Sequence, residues 1–326
     1  MAIGFAHSKW RAAGLCLAAC VALVGCDAPL GFPNASDRPS QTPTDVVQAA
    51  QGQNEAATPS AQSRTMGVYL AKVQSDLLLN DLLRTDNGSV DTPFTSHQLA
   101  SNFDAIALND EYTTIDGRFV ARTTPSPLSR WDVPVRIGLE FGASVPFEQR
   151  DKDVATVKAL IKRLAKAARH PISMSDRPNF HVLVLNEDER QAIGPRLEQI
   201  VPGIGQAAID TVEDMPRSNY CVVFAFDPAD NGAYRQAVAI IRGEHPDLMR
   251  KSCLHEEITQ GLGLANDTPR ARPSIFNDDE EFALLTHHDE LLLRILYDPR
   301  LQTGMSPEIA RPISAQIARE LMGESS

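Results

Sequence analysis

The chain has 326 residues, of which 43% are apolar, enough to bury a sizeable core in one large domain or two small ones. Its formal net charge is −11, and an acidic surface of that size argues against nucleic acid or anionic lipid as a partner.

At the N-terminus Lys9 and Arg11 precede an apolar run from Ala12 to Val24, too short for a comfortable membrane span and of the form of an export signal. The run ends in Leu23-Val24-Gly25-Cys26, which resembles the bacterial lipobox. On that resemblance residues 1–25 are a lipoprotein signal peptide and Cys26 becomes the first mature residue, carrying the lipid (palmitate). An uncleaved anchor with an incidental cysteine is the other reading. Either way the body is expected in the cell envelope, membrane-anchored and facing the periplasm, with inner and outer membrane both open. Removing Lys9 and Arg11, with no acids alongside them, takes the net charge to −13. Cys16 and Cys20 would leave with the signal, so Cys221 and Cys253 remain in an oxidising compartment and are expected to pair as a disulfide. Two separate buried thiols are the alternative.

Residues 26–64 are rich in Pro, Ser, Gln, Asn and Ala and read as a lipidated cysteine followed by a disordered tether, leaving residues 65–326 as the folded domain. From Met66 through Leu83 apolar residues recur at helical spacing. An apolar cluster follows at Phe103–Leu108. Alternation of Val133, Val135, Ile137 and Leu139 predicts a strand over Trp131–Phe141, and Asp153–Ala168 returns to helical periodicity. Phe180–Leu185 reads as a strand, Glu187–Ile200 as a helix, and Tyr220–Phe226 and Ala237–Ile241 as strands separated by the turn-forming Asp227-Pro228-Ala229-Asp230-Asn231-Gly232. A helix is predicted from Pro246 through Leu262, stopped by Gly263 in a left-handed conformation. A last helix begins at Thr286, where Thr286 and Asp289 form a capping box.

The second half of the helix before Gly263 carries the chemistry. Glu256-Glu257-Ile258-Thr259-Gln260-Gly261-Leu262-Gly263-Leu264-Ala265-Asn266 resembles in spacing the metzincin zinc-peptidase pattern H-E-x-x-H-x-x-G-x-x-H. Glu256, Gln260 and Asn266 fall at the ligand places, Glu257 at the general base and Gly263 at the turning glycine. Residues four apart share a helix face, so Glu256 and Gln260 can converge on one ion, and the turn can return Asn266 or Asp267 as a third ligand. The carboxylate beside the first ligand would take the proton of a bound water. Zinc prefers nitrogen and sulfur, however, and a Glu, Gln, Asn set suits a harder divalent metal better, so the usual zinc chemistry is in doubt. Shifting the frame to His255 puts Thr259 at the second ligand place, so His255 reads as an exposed helix-surface histidine. His287 and His288, in the first turn of the last helix, are expected to face solvent. Asn277-Asp278-Asp279-Glu280-Glu281 lacks the spacing of a calcium loop and reads as a solvated acidic loop.

The segments Cys253–Asp267, Ser274–Asp278, Leu296–Leu301 and Gly304-Met305 resemble the bacterial envelope family known as domain of unknown function 2927 (DUF2927), which looks like a metzincin relative of the zinc-peptidase superfamily. The resemblance implies an α+β, metzincin-like zincin fold: a twisted mixed sheet packed with helices, the motif helix beneath it and ending at the glycine turn. Met305 would correspond to the methionine turn under the metal; an ordinary surface turn after Gly304 is the alternative. Three readings of function follow. The first is an envelope lipoprotein whose degenerate motif binds peptide or another envelope component without turnover. The second is a metallopeptidase-like hydrolase with atypical ligands and Glu257 as base, and the third is a structural scaffold in which Gln260 and Asn266 bond to backbone.

Overall fold

The computed structural model describes residues 58–88, 91–115, 118–277 and 279–324. The export signal, Cys26 and most of the expected tether lie outside the described residues. The described chain opens with α1 (Ala61–Leu79), whose N-cap Ser60 accepts a hydrogen bond from the Ser63 amide, so the folded body starts before the expected boundary at residue 65. No described helix is long and apolar enough to cross a membrane.

α2 (Ser96–Ala107) follows, nucleated by a capping box between Thr95 and Gln98. It contains the apolar cluster that began at Phe103. A hairpin, β1 (Asn109–Ile115) and β2 (Arg118–Pro125), comes next and was not foreseen. The strand expected over Trp131–Phe141 is two elements, β3 (Arg130–Trp131) and β4 (Val135–Phe141), because Pro134 supplies no amide to continue a ladder. α3 runs over Phe147–Ala168, starting earlier than expected behind Pro146. After β5 (Ile172–Met174) and β6 (Phe180–Leu185) the predicted helix over Glu187–Ile200 is broken into α4 (Glu187–Arg190) and α5 (Gly194–Ile200). Pro195 sits in the first turn of α5, where its missing N–H costs nothing but where no preceding helix can run through it. α6 (Gln206–Glu213), β7 (Cys221–Phe226), β8 (Ala233–Tyr234), β9 (Gln236–Arg242) and α7 (Asp247–Gln260) complete the central part. α8 (His287–Leu296) begins at the predicted Thr286–Asp289 capping box but is not the last helix, since α9 (Pro307–Leu321) follows it.

The fold is α+β. Its main sheet has the order β5-β4-β6-β9-β7, with every pair parallel except β7, which lies antiparallel to β9 at the edge, Cys221 opposite Ile241. Alternation sends Val135 and Ile137 of β4, Phe180, Val182 and Val184 of β6, and Cys221 and Val223 of β7 into one core with α2, α3, α7, α8 and α9. The opposite face buries Leu183, Leu185, Val222, Phe224, Val238 and Ile240 under α5 and α6. α7 packs against β7, β9 and α3, which places the motif helix under the antiparallel edge of the sheet.

Candidate functional site

The motif lies on α7, where every residue from Ser252 to Gln260 is buried. Its C-terminal carbonyls are closed by aromatic donors: the Trp131 indole donates to the Gly261 carbonyl at 2.8 Å and the Tyr297 hydroxyl to that of Leu262 at 2.9 Å. Gly263 has φ +120°, and a Cβ there would run into the Ser129 carbonyl oxygen. The turn therefore requires glycine, as expected for the position. On the helix's other side Cys253 is joined to Cys221 of β7, with Cα atoms 5.9 Å apart, so the expected disulfide is present and straps α7 to the sheet edge.

The predicted ligands are brought into one neighbourhood but do not form a common ligand set. Glu256, Glu257 and Gln260 are buried, Glu257 at 1% and Gln260 at 0% exposure. The Gln260 Nε2 donates to Asp267 Oδ1 at 3.2 Å, while its Oε1 is buried without a hydrogen-bond partner. Asn266 turns away: its side-chain amide donates to the Ala105 carbonyl at 2.8 Å, and its backbone N–H to that of Ile106 at 3.0 Å. Those bonds stitch the segment after the glycine turn to the end of α2. Zinc does not fit the set Glu256, Gln260, Asn266, because no imidazole is present and the third residue is committed to backbone. Among the described residues one trio has donor atoms at metal-ligating separation, Cys221, Glu256 and Glu257, within 4.8 Å of one another, and its sulfur is held in the disulfide. Met305 is half-buried against the core, its carbonyl accepting from the Leu128 amide at 2.8 Å while the Gly304 amide donates back to the Leu128 carbonyl at 2.9 Å. The turn at Gly304-Met305 is thus pinned to the strand-leading segment that also meets Gly263.

The histidines depart from expectation. His255 is buried rather than exposed: its Nδ1 accepts from the Leu285 amide at 3.0 Å, and burial pushes its pKa down to about 3. His287 faces solvent as expected, but His288 is fully buried, edge-on to Phe94 and 3.1 Å from the Asn102 amide nitrogen. The acidic loop is not freely solvated either. Glu281 is ion-paired to Arg84 and Arg272, and Asn277 is buried with its amide on the Ala271 carbonyl; Asp278 lies outside the described residues.

Two clefts border this framework. Asn266 and Asp267 line one of about 490 Å3 with Asp104, Asn109, Arg270 and Arg311; Glu256, Glu257 and Gln260 are not among its walls. Burial pushes the Asp104 carboxyl above its ordinary pKa, against the opposing pull of Arg311 and Ser314. The second cleft, about 550 Å3, lies along β4 beyond its pairing with β5, walled by Glu140 and Phe141 of β4, Val154 of α3, Pro178, His181 of β6 and Arg196 of α5. There Glu140 accepts from both Arg196 Nε and Nη2, at 2.9 and 2.7 Å, and contacts His181 Nδ1 at 2.9 Å. Despite its partial burial, Arg196 and His181 hold the Glu140 carboxyl below its ordinary pKa. The only sequence signal for this trio is alternation, which puts Glu140 and His181 on the face opposite Phe180 and Val182.

Among protein families, the one described as a protein of unknown function (DUF2927) matches residues 96–316, a span from α2 into α9 that includes the motif helix and the glycine turn. No curated protein and no solved structure matches the chain.

Proposed function

The chain belongs to the DUF2927 family, and from that premise we propose that it is an envelope lipoprotein anchored through Cys26, with a metzincin-like fold that binds peptide or another envelope component without turning it over. The single observation that carries this reading is the cleft of about 490 Å3 that Asn266 and Asp267 line with Asp104, Arg270 and Arg311; the Asn266 amide, spent on the Ala105 carbonyl, argues against a third metal ligand at that place. Glu257, at the place of the general base, is buried at 1% exposure, and proton transfer to a substrate needs a group within hydrogen-bond reach of it. The residues after the turn instead wall the cleft of Asp104, Asp267, Arg270 and Arg311, whose charges of both signs suit the ammonium, carboxylate and amide groups of a peptide. The mixed sheet with an antiparallel edge above the motif helix supports the metzincin-like assignment.

A second reading, hydrolysis on Glu256, Gln260 and Asp267 with a hard divalent ion and Glu257 as base, is favoured by the buried Gln260 Oε1 that lacks a partner. Metal analysis of the purified protein followed by a peptidase assay separates the two. The binding reading expects no stoichiometric metal in the protein as isolated and no turnover. Stoichiometric metal with a peptidase activity abolished by Glu257→Gln would overturn it.

A further inference from the structure

Glu256, Glu257 and Gln260 lie three, four and seven residues after Cys253, so the four form one stripe of α7, the stripe turned toward Cys221 at the start of β7. The sulfur of Cys221 and a carboxylate oxygen from each of Glu256 and Glu257 lie within 4.8 Å of one another. We propose that the Cys221–Cys253 disulfide covers a latent site for a thiophilic divalent cation of the zinc class, with the Cys221 thiolate and the Glu256 and Glu257 carboxylates as its ligands once the bond is reduced. The inference goes beyond the peptide-binding reading and does not depend on it.

A disulfide sulfur carries no negative charge and is a poor ligand, whereas a thiolate is the donor that zinc favours and tolerates in company with carboxylate oxygen. In the oxidised protein the site therefore lacks its strongest donor, although the three ligand atoms already lie within 4.8 Å of one another. A dithiol reductant supplies two electrons and two protons: the S–S bond breaks, Cys221 and Cys253 become thiols, and the dithiol leaves as its own disulfide. Binding of the cation then displaces the proton of the Cys221 thiol to solvent and sets three anionic donors around a charge of two. Gln260, one turn along the same stripe, has its Oε1 buried without a hydrogen-bond partner. The arrangement differs from the peptidase-like frame, since it takes its decisive ligand from the sheet and needs neither Asn266 nor an imidazole.

Cobalt(II) tests this, because a cobalt–thiolate bond gives a near-ultraviolet charge-transfer band. The chain with Cys16, Cys20 and Cys26 replaced by serine, taken as wild type here, is titrated oxidised, after reduction with a phosphine, and as Cys253→Ser, which frees Cys221 without any reductant. Reduced wild type and Cys253→Ser are expected to bind one equivalent with the band; oxidised wild type and Cys221→Ser are expected to show none. Glu256→Gln and Glu257→Gln are each expected to weaken binding by roughly tenfold or more in the reduced protein. An equal band in Cys221→Ser or in oxidised wild type overturns the proposal. So does reduced wild type that keeps its native far-ultraviolet circular dichroism without developing the band. If reduction itself removes that signal, cobalt must restore it, and failure to do so overturns the proposal as well.

Discussion

The motif helix and the Glu140–His181–Arg196 cleft stand on the same sheet and differ in what they leave accessible. α7 carries a peptidase-like spacing, yet each of its residues from Ser252 to Gln260 is buried, and Asn266 beyond it is tied to Ala105. The cleft carries no recognisable motif, yet it presents a carboxylate–imidazole pair, fixed by a guanidinium, on the wall of an open space of about 550 Å3. Spacing along a chain records which side chains share a helix face. Whether they can reach a ligand is decided by what the rest of the fold lays over them.

The contrast is sharpest in stability. Removing the strap with Cys253→Ser opens a loop spanning a separation of 32 residues and is expected to cost about 3–4 kcal/mol, read by urea denaturation against the oxidised parent. A loss below about 1 kcal/mol would mean that the motif region does not lean on the disulfide. Gly263→Ala forces a side chain into a φ of +120° against the Ser129 carbonyl, and roughly 3 kcal/mol is expected, the upper end for strained backbone. Thermal unfolding measures it, and an unchanged midpoint would show that the turn can relax.

Acid comes next. Burial holds His255 and His245 neutral down to about pH 3, whereas an unfolded imidazole takes its proton near its ordinary value of 6.5. Between those limits the unfolded chain binds more protons, so stability falls as pH falls, by roughly 2 kcal/mol per unit for the two together. Denaturation series from pH 6.5 to 4.5 should show that slope, and it should be about halved in His255→Gln. At the cleft, by contrast, Arg196 and Glu140 are each more than a third exposed, so Arg196→Ala is expected to cost less than about 1 kcal/mol. A larger loss would make the cleft part of the framework and erase the comparison.

Much of the framework was legible because it follows local rules. Phe180–Leu185 and the Thr286–Asp289 cap coincide with the strand and helix start read from the sequence, and Gly263 adopts the expected positive φ. The misreadings arise where tertiary contacts decide. His255 occupies a helix position that looks exposed by sequence, but α8 and the residues before it close over that face, with the Leu285 amide seated on its ring. Glu281 looks solvated until Arg84, distant in sequence, is brought beside it. Glu140 and His181 belong to different strands, and only their parallel pairing in the sheet makes them neighbours.

The indole that closes the end of α7 has a practical consequence. The chain holds two tryptophans, Trp10 and Trp131, and Trp10 lies in the segment that signal cleavage would remove. A processed protein would then carry a single indole, 1% exposed and hydrogen-bonded to the Gly261 carbonyl. Its fluorescence is a built-in gauge of the glycine turn. Emission at short wavelength reports a closed helix end, and a red shift during reduction, acidification or ligand titration reports the moment at which that end lets go.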